Sequence, residues 1–205
     1  QSLATLSGKV LRLNPDGTVP ADNPFVGVEG ARPEIWALGL RNPFTFALEP
    51  GTARVYVNDV GQGSWEEIND AVAGANFGWP TTEGYTADPR FHSPFLAYAN
   101  DGSTCAITGG TFYSPPVELF PAAYSGSYFF ADFRWVRPSS NTTVADFATG
   151  ISFPVDLKVG PEGALYYLSR GVGQIWRIGV SGAAPRITTP PSDQRVVAGG
   201  TMSLS

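Results

Sequence analysis

The chain has 205 residues, with 13 lysines and arginines against 18 aspartates and glutamates, so its formal net charge is −5. Hydrophobic residues make up 42% and aromatic residues 13% of the chain, enough apolar surface for a packed core, which excludes an intrinsically disordered protein. No run approaches the ~18 apolar residues of a transmembrane helix, and a net negative chain has little charge with which to bind nucleic-acid phosphates.

The predicted elements are short β-strands separated by turns rich in proline, glycine, asparagine and aspartate. A first strand is predicted at residues 8–13, and it ends at an Asn-Pro-Asp-Gly turn. Strand pairs follow at 45–48 and 54–58, at 107–113 and 127–133, and at 155–159 and 164–168, before a last strand at 174–180. No stretch shows sustained apolar spacing of 3.6 residues, so the sequence predicts an all-β protein.

The strand pairs recur along the chain. They begin near Phe44, Ile107 and Val155, at intervals of about 63 and 48 residues, a size that suits four-stranded propeller blades. The pattern therefore predicts a partial β-propeller over residues 1–180, with about three blades and one strand from a blade upstream. A β-sandwich with irregular loops remains the alternative at this point.

The composition changes after Val180. Residues 181–185 are small and predict a linker, and residues 186–205 read as the truncated start of a β-sandwich domain. The chain begins without a methionine and without the basic and apolar regions of a signal peptide. We therefore expect it to be a segment of a longer protein.

Polar residues that can carry chemistry are concentrated between residues 34 and 79. Arg41 follows an apolar run and precedes Asn42 and a proline, and a guanidinium at a strand end can bind a carboxylate with two hydrogen bonds. The alternative is a structural ion pair between Arg41 and Glu66 or Glu67.

Three acidic residues in the same region, Asp59, Glu66 and Glu67, could hold Ca²⁺ together with carbonyl groups of residues 61–63. The alternative is that they are solvated charges in turns. His92, the one histidine, is interpreted as a surface or packing residue, and Cys105 as a buried, inert thiol.

Six motifs carry a resemblance to a known family. They are Leu-Gly-Leu-Arg-Asn-Pro at 38–43, Asp-Val-Gly-Gln at 59–62 with Trp-Glu-Glu-Ile-Asn at 65–69, Asn-Phe-Gly-Trp-Pro at 76–80, Ile-Thr-Gly-Gly at 107–110, Tyr-Phe-Phe-Ala-Asp-Phe at 128–133 and Val-Asp-Leu-Lys-Val-Gly-Pro at 155–161. Over residues 3–179 the chain resembles the glucose/sorbosone dehydrogenase family. That resemblance implies a six-bladed propeller, secreted, periplasmic or on the cell surface, that oxidises aldoses with pyrroloquinoline quinone and Ca²⁺. The segment 186–205 resembles the start of an immunoglobulin-like domain.

The resemblance also implies roles for individual residues. Arg41 and Asn42 match the pair that faces the quinone, and Arg41 would stabilise negative charge on the reduced quinone as the catalytic cation. Arg134 falls near a quinone-contacting lysine. Gly61 and Gln62 fall where backbone carbonyls bind the Ca²⁺.

The chain departs from the family pattern at three positions. Val60 stands where the family has a glutamine that faces the quinone, and Phe153 and Val155 stand where two arginines bind its carboxylates. The family's catalytic histidine falls upstream of Gln1.

Two functions follow from these residues. The first is oxidation of the C1 hydroxyl of an aldose to a lactone, on a small-molecule sugar, by the parent protein; we expect the isolated segment to be inactive. The second is a non-catalytic propeller that binds glycans or proteins, for which Trp36, Trp65, Trp79 and Trp135 would supply stacking surfaces.

Overall fold

The computed structural model describes residues 1–100, 106–132, 134–136, 144–148, 150–181 and 184–189, with the backbone alone at 134–136, 180–181 and 184–189. The chain divides into two compact units, residues 1–107 and residues 108–205. Almost all regular structure in the described residues is β-strand, and one three-residue 3₁₀ helix spans Ala122–Tyr124. The prediction of an all-β fold is confirmed.

The first unit contains two antiparallel sheets. Strands β1 (Lys9–Leu11) and β2 (Ile35–Leu38) form a two-stranded sheet. Strands β3 (Pro43–Leu48), β4 (Val55–Asp59), β5 (Trp65–Asp70) and β6 (Leu96–Ala99) form a four-stranded sheet in chain order.

The second unit contains two four-stranded antiparallel sheets, also in chain order. One comprises β7 (Gly110–Phe112), β8 (Tyr128–Phe130), β9 (Arg134–Val136) and β10 (Val144–Asp146). The other comprises β11 (Pro154–Val159), β12 (Leu165–Ser169), β13 (Gln174–Ser181) and β14 (Ala184–Thr189).

The strand pairs predicted from the sequence form as expected, as β3 with β4, β7 with β8 and β11 with β12. The structure adds β2, β5, β6, β9 and β10, which the sequence patterns did not indicate.

Residues 181, 184 and 185 of the predicted linker belong to strands in the structure. Ser181 ends β13, Ala184 begins β14, and these two residues are paired in one antiparallel ladder. Residues 184–189 thus complete a four-stranded sheet. The rest of the predicted immunoglobulin-like segment, residues 190–205, lies outside the described residues, and that domain stays a prediction.

Each unit has its own hydrophobic core. In the first unit, small side chains such as Ala37 and Ala71 pack with Val57 and Phe77, and the partly buried Trp36 packs against this cluster. In the second, the core is aromatic, because Tyr113, Phe120 and Phe129 pack with ring centroids 4.8–6.1 Å apart.

An apolar groove of about 780 Å³ runs between β1 and the exposed side of β3 in the first unit. Strand β3 alternates half-buried and exposed residues, and its exposed side chains Phe44, Phe46 and Leu48 line this groove. Leu11, Leu13 and Val55 belong to its apolar lining as well, and Lys9 and Arg12 supply its cations.

Candidate functional site

The residues singled out around Arg41 lie where β3 begins and β4 ends. Pro43 opens β3 opposite Asp59, the last residue of β4, and the register then shifts by one residue, so that Phe44 forms a bulge. Proline suits the first residue of a strand because it has no N–H to donate to the ladder. Bulges of this kind re-aim neighbouring side chains and are common beside functional sites.

Asp59 fixes the backbone of the Arg41–Asn42 step. Its Oδ2 accepts the Arg41 N–H at 2.9 Å and its Oδ1 accepts the Asn42 N–H at 2.6 Å, while the Asn42 carbonyl accepts the Val60 N–H at 3.1 Å. One buried carboxylate therefore holds both exposed residues of the step through the main chain.

The Arg41 guanidinium turns back over the end of β4. Its Nη1 donates to the carbonyl oxygens of Val60 at 2.9 Å and Gly61 at 2.6 Å, and its Cζ lies 5.8 Å from the centroid of the Trp79 ring. Within the described residues no ion pair joins Arg41 to Glu66 or Glu67, the structural alternative considered above.

The buried side chain of Glu66 holds the loop at residues 60–62 in place through hydrogen bonds. It is 0% exposed, and its carboxylate accepts the N–H groups of Gly61 at 3.3 Å and Ile107 at 3.0 Å, together with the Asn100 amide at 3.1 Å. On the outer side, the Gln62 N–H donates to Glu83 Oε1 at 2.5 Å. The carbonyl groups of Val60 and Gly61, which accept hydrogen bonds from the Arg41 guanidinium, thus belong to a loop that is held by Glu66 and by Glu83.

Burial dominates the electrostatics of this acidic group. Removal from water raises the pKa of Asp59 to about 7, against two backbone N–H donors that lower it. Burial also raises the pKa values of Glu66 and Glu67. The interpretation of these residues as solvated turn charges is therefore wrong, because all three are buried strand residues.

The donor groups at this loop suit a cation through the backbone and not through acidic side chains. The carbonyl oxygens of Val60 and Gly61 already converge on one cationic nitrogen, so their orientation suits a cation that is bound by backbone oxygens. The three acids do not form a side-chain site: Asp59 and Glu67 are paired across β4 and β5 while their oxygens accept N–H groups. Among the described residues no cluster of three acidic, histidine or cysteine side chains could hold a metal ion.

The structure places the other candidates as follows. His92 is exposed and meets the Phe77 ring edge-on at 5.8 Å between centroids, which fits its interpretation as a surface or packing residue. Arg134 lies in β9, but its side chain is outside the described part, as is Cys105.

Three tryptophans proposed as stacking surfaces have neighbours on them. Trp36 donates to the Ala71 carbonyl at 2.5 Å and lies 4.9 Å from the Arg12 guanidinium, Trp65 packs on Gly84, and Trp79 lies beside Arg41. The Trp135 side chain is outside the described residues. Sequence reasoning missed Glu83, because nothing in its Thr-Thr-Glu-Gly context indicates a contact with the loop 21 residues earlier.

Comparison with known proteins identifies the class of protein that shares this fold. The chain superposes on a crystal structure of glucose dehydrogenase with a TM-score of 0.73 at 26% identity, over 88% of this chain and 57% of that one. The fold is thus that of the β-propeller glucose dehydrogenases. The chain belongs to the glucose/sorbosone dehydrogenase family, whose model matches residues 1–177.

Two further relatives match part of the chain. The chain is 44% identical to the aldose sugar dehydrogenase YliI of Escherichia coli over 80 residues, which are 39% of this chain and 22% of that protein. It is 43% identical to quinoprotein glucose dehydrogenase B of Acinetobacter calcoaceticus over 96 residues, which are 47% of this chain and 18% of that protein.

The chain spans about half the length, or less, of the curated relatives that it matches. The described residues include no helix with the length and hydropathy needed to cross a bilayer.

Proposed function

We propose that the protein to which this chain belongs oxidises the C1 hydroxyl of an aldose to the corresponding lactone, with pyrroloquinoline quinone as cofactor and Ca²⁺ beside it. The observation that carries the proposal is the Arg41–Asn42 step, which Asp59 and the loop at 60–62 hold in place. The names of the two relatives, an aldose sugar dehydrogenase and a quinoprotein, support the reaction and the cofactor class.

The chain's own groups have defined tasks in this proposal. Arg41 places a permanent positive charge at the exposed start of β3, where it stabilises negative charge that develops as electrons arrive. Asn42, exposed beside it, offers a side-chain amide for orientation. The backbone carbonyls of Gly61 and Gln62 are the proposed Ca²⁺ ligands, and Arg134 is a further proposed cofactor contact.

Pyrroloquinoline quinone would supply the two-electron acceptor for the hydride that leaves C1 of the sugar. The proton of the C1 hydroxyl goes to a general base, so that two electrons and two protons leave the sugar and a lactone remains. Asp59 contributes indirectly, because it fixes the backbone from which Arg41 and Asn42 extend. The proposed setting is secreted, periplasmic or on the cell surface.

The test uses the protein expressed from its complete coding sequence, supplied with pyrroloquinoline quinone and Ca²⁺, with reduction of an artificial electron-acceptor dye as the readout for D-glucose oxidation. We expect dye reduction that depends on sugar, quinone and Ca²⁺. Arg41→Leu should lower kcat by about 100-fold, the scale on which loss of one charge-stabilising group acts.

Arg90→Leu is the matched control, because Arg90 is exposed and is paired with Asp88 away from this step. It should retain wild-type turnover. Binding of D-glucose without any turnover under these conditions would contradict the proposal. It would support the second candidate, a non-catalytic carbohydrate-binding propeller. That candidate is favoured by Phe153 and Val155, which are uncharged where the family has arginines.

A further inference from the structure

The peptide unit between Gly61 and Gln62 is held at both of its polar groups. Its carbonyl oxygen, on Gly61, accepts the Arg41 Nη1 at 2.6 Å, and its N–H group, on Gln62, donates to Glu83 Oε1 at 2.5 Å. In a planar trans peptide these two groups point in opposite directions. The position of the Glu83 carboxylate therefore fixes the direction in which the Gly61 carbonyl points.

Glu83 is itself held against the loop by its neighbour in the chain. The next residue, Gly84, is buried, and its N–H donates to Glu67 Oε1 at 2.6 Å. The Trp65 ring covers Gly84, since a Cβ added there would come within 2.8 Å of the ring. A Cβ added to Gly61 would come within 2.7 Å of Glu83 Oε1. The backbone that carries Glu83 is thus fixed on β5, and its carboxylate lies directly against the loop.

The Glu83 carboxylate also affects the strength of the Gly61 carbonyl as a donor to a metal ion. A negative group at the N–H end of an amide polarises it, and its carbonyl oxygen then becomes a stronger acceptor. A carbonyl oxygen has two lone pairs, so the Gly61 oxygen can bind a metal ion in addition to the Arg41 guanidinium. Hard oxygen donors of this kind are the ligands that Ca²⁺ takes in proteins.

Glu83 can be replaced with little effect on the strands around it. Asp59 and Glu66 are buried strand residues that each accept two backbone N–H groups. Glu83 is half-buried outside the strands, and it accepts the N–H of Gln62. Replacement of Glu83 is therefore expected to change the loop while β4 and β5 keep their contacts.

We propose that Glu83 is a positioning residue for Ca²⁺: by holding the Gln62 N–H, it keeps the Gly61 carbonyl directed at the ion and raises the affinity of the loop for it. This inference rests on the proposed function, in which the backbone carbonyls of Gly61 and Gln62 are the Ca²⁺ ligands. It adds a side chain that acts on the ion through the peptide without touching it.

The test measures the Kd of Ca²⁺ by titration calorimetry, with saturating pyrroloquinoline quinone, on the protein expressed from its complete coding sequence and freed of metal by a chelator. Glu83→Ala removes both the charge and the acceptor, so the Kd should rise about tenfold. Glu83→Gln keeps an acceptor oxygen for the Gln62 N–H but loses the charge, so the Kd should rise only about threefold.

Two further readouts separate positioning from a merely structural role. Metal-free Glu83→Gln should unfold at the wild-type temperature, whereas a merely structural role would lower that temperature and leave the Kd of Ca²⁺ unchanged. The Ca²⁺ concentration for half-maximal dye reduction should rise by the same factor as the Kd, while kcat at saturating Ca²⁺ keeps its wild-type value.

Glu49→Gln is the matched control. Glu49 is also half-buried and accepts the Thr52 hydroxyl, but it lies in the turn between β3 and β4, at the opposite end of β4 from the loop. This variant should keep the wild-type Kd of Ca²⁺.

Wild-type Kd values in both Glu83 variants, in a protein that binds Ca²⁺ and oxidises glucose, would overturn this inference and leave the proposed function intact. A wild-type protein that binds no Ca²⁺ in the presence of the quinone would overturn both.

Discussion

At the scale of single residues, the main feature of this chain is a set of buried carboxylates that accept hydrogen bonds from backbone N–H groups. Asp59 and Glu66 together accept four backbone N–H groups, and Glu67 accepts a fifth from Gly84 at 2.6 Å. Acidic side chains are seldom fully buried unless they are paired or hydrogen-bonded. These groups give the loop at 60–62 its position, and burial raises the pKa of all three.

This burial predicts an unusual dependence of stability on pH. A carboxyl whose folded pKa is raised binds its proton more tightly in the folded state, so its contribution is complete below the unfolded pKa and is lost as pH rises. The free energy of unfolding should therefore fall between about pH 4 and about pH 7, where Asp59 changes from its ordinary to its raised pKa, by up to about 1.4 kcal/mol for each unit of pKa difference.

Glu67→Gln tests this dependence, because it removes one of the three buried carboxyls together with a charge that helps to raise the pKa of Asp59. The slope of unfolding free energy against pH, measured by urea denaturation, should be smaller in this variant than in the wild type. Glu29→Gln, a change at an exposed residue, serves as the control and should keep the wild-type slope. An unchanged slope in Glu67→Gln would contradict the prediction.

At the scale of elements, β3 and β11 begin in the same way, with a proline, a bulge at the next residue and a main-chain bond to the residue before the proline. Strand β7 reaches the same register without a proline. Its equivalent residue is Gly109, where an added Cβ would come within 2.5–2.7 Å of the backbone of Asp156 and Leu157. The second unit therefore brings β7 and β11 together closely, and only glycine permits that approach.

Gly109→Ala should destabilise the protein by about 1–3 kcal/mol, because the crowding atoms are backbone atoms of β11 and cannot rotate away. Gly63→Ala is the matched control, since nothing lies within 4 Å of a Cβ there and Gly63 has no positive φ. Urea denaturation of both variants provides the measurement. Equal stability of the two would show that β7 and β11 can move apart at little cost.

The elements that the sequence predicted well are those with strong turn signals. Glu49-Pro50-Gly51 and Gly160-Pro161 mark the reversals after β3 and β11, and both pairs of strands formed as predicted. Strand β5 escaped prediction because its Trp-Glu-Glu-Ile-Asn-Asp sequence has the polarity of a loop, although four of its six residues are buried. Polar burial depends on tertiary hydrogen bonds, which a local pattern does not contain.

The candidate site was predictable in part for a similar reason. Arg41 and the loop at 60–62 stood out because their residue types suit anion and cation binding at strand ends. The role of Asp59 as the acceptor for two N–H groups, and the matching positions of Phe153 and Asn42, each before the proline that opens its strand, depend on the register between strands. Register is set by pairing over many residues, so neither could be read from the sequence.

At the scale of the whole chain, a contiguous exposed apolar surface lies in the first unit. The apolar groove brings Phe44, Phe46 and Leu48 together beside Leu11 and Leu13, and each of these five residues is at least 41% exposed. Contiguous apolar surface of this kind favours association with other apolar groups. The groove is therefore a defined surface at which the chain can associate with other apolar groups.

The 205-residue chain, expressed alone, should bind the dye 8-anilinonaphthalene-1-sulfonate at this groove. The double variant Phe46→Ser and Leu48→Ser should reduce the dye fluorescence, because it removes two of the most exposed side chains of the lining. Phe153→Ser removes an equally exposed ring outside the groove and should leave the fluorescence unchanged. Equal losses in both proteins would show that the dye does not distinguish the groove.

The bulged starts of β3 and β11 have a consequence for engineering. At positions 42 and 153 the main chain is held by its carbonyl and by the following proline, while the side chain projects from an exposed residue. Position 153 has a φ of +44°, which glycine and asparagine adopt more readily than other residues, whereas no positive φ restricts position 42. A library randomised at these two codons would therefore separate the demands of the backbone from those of a ligand.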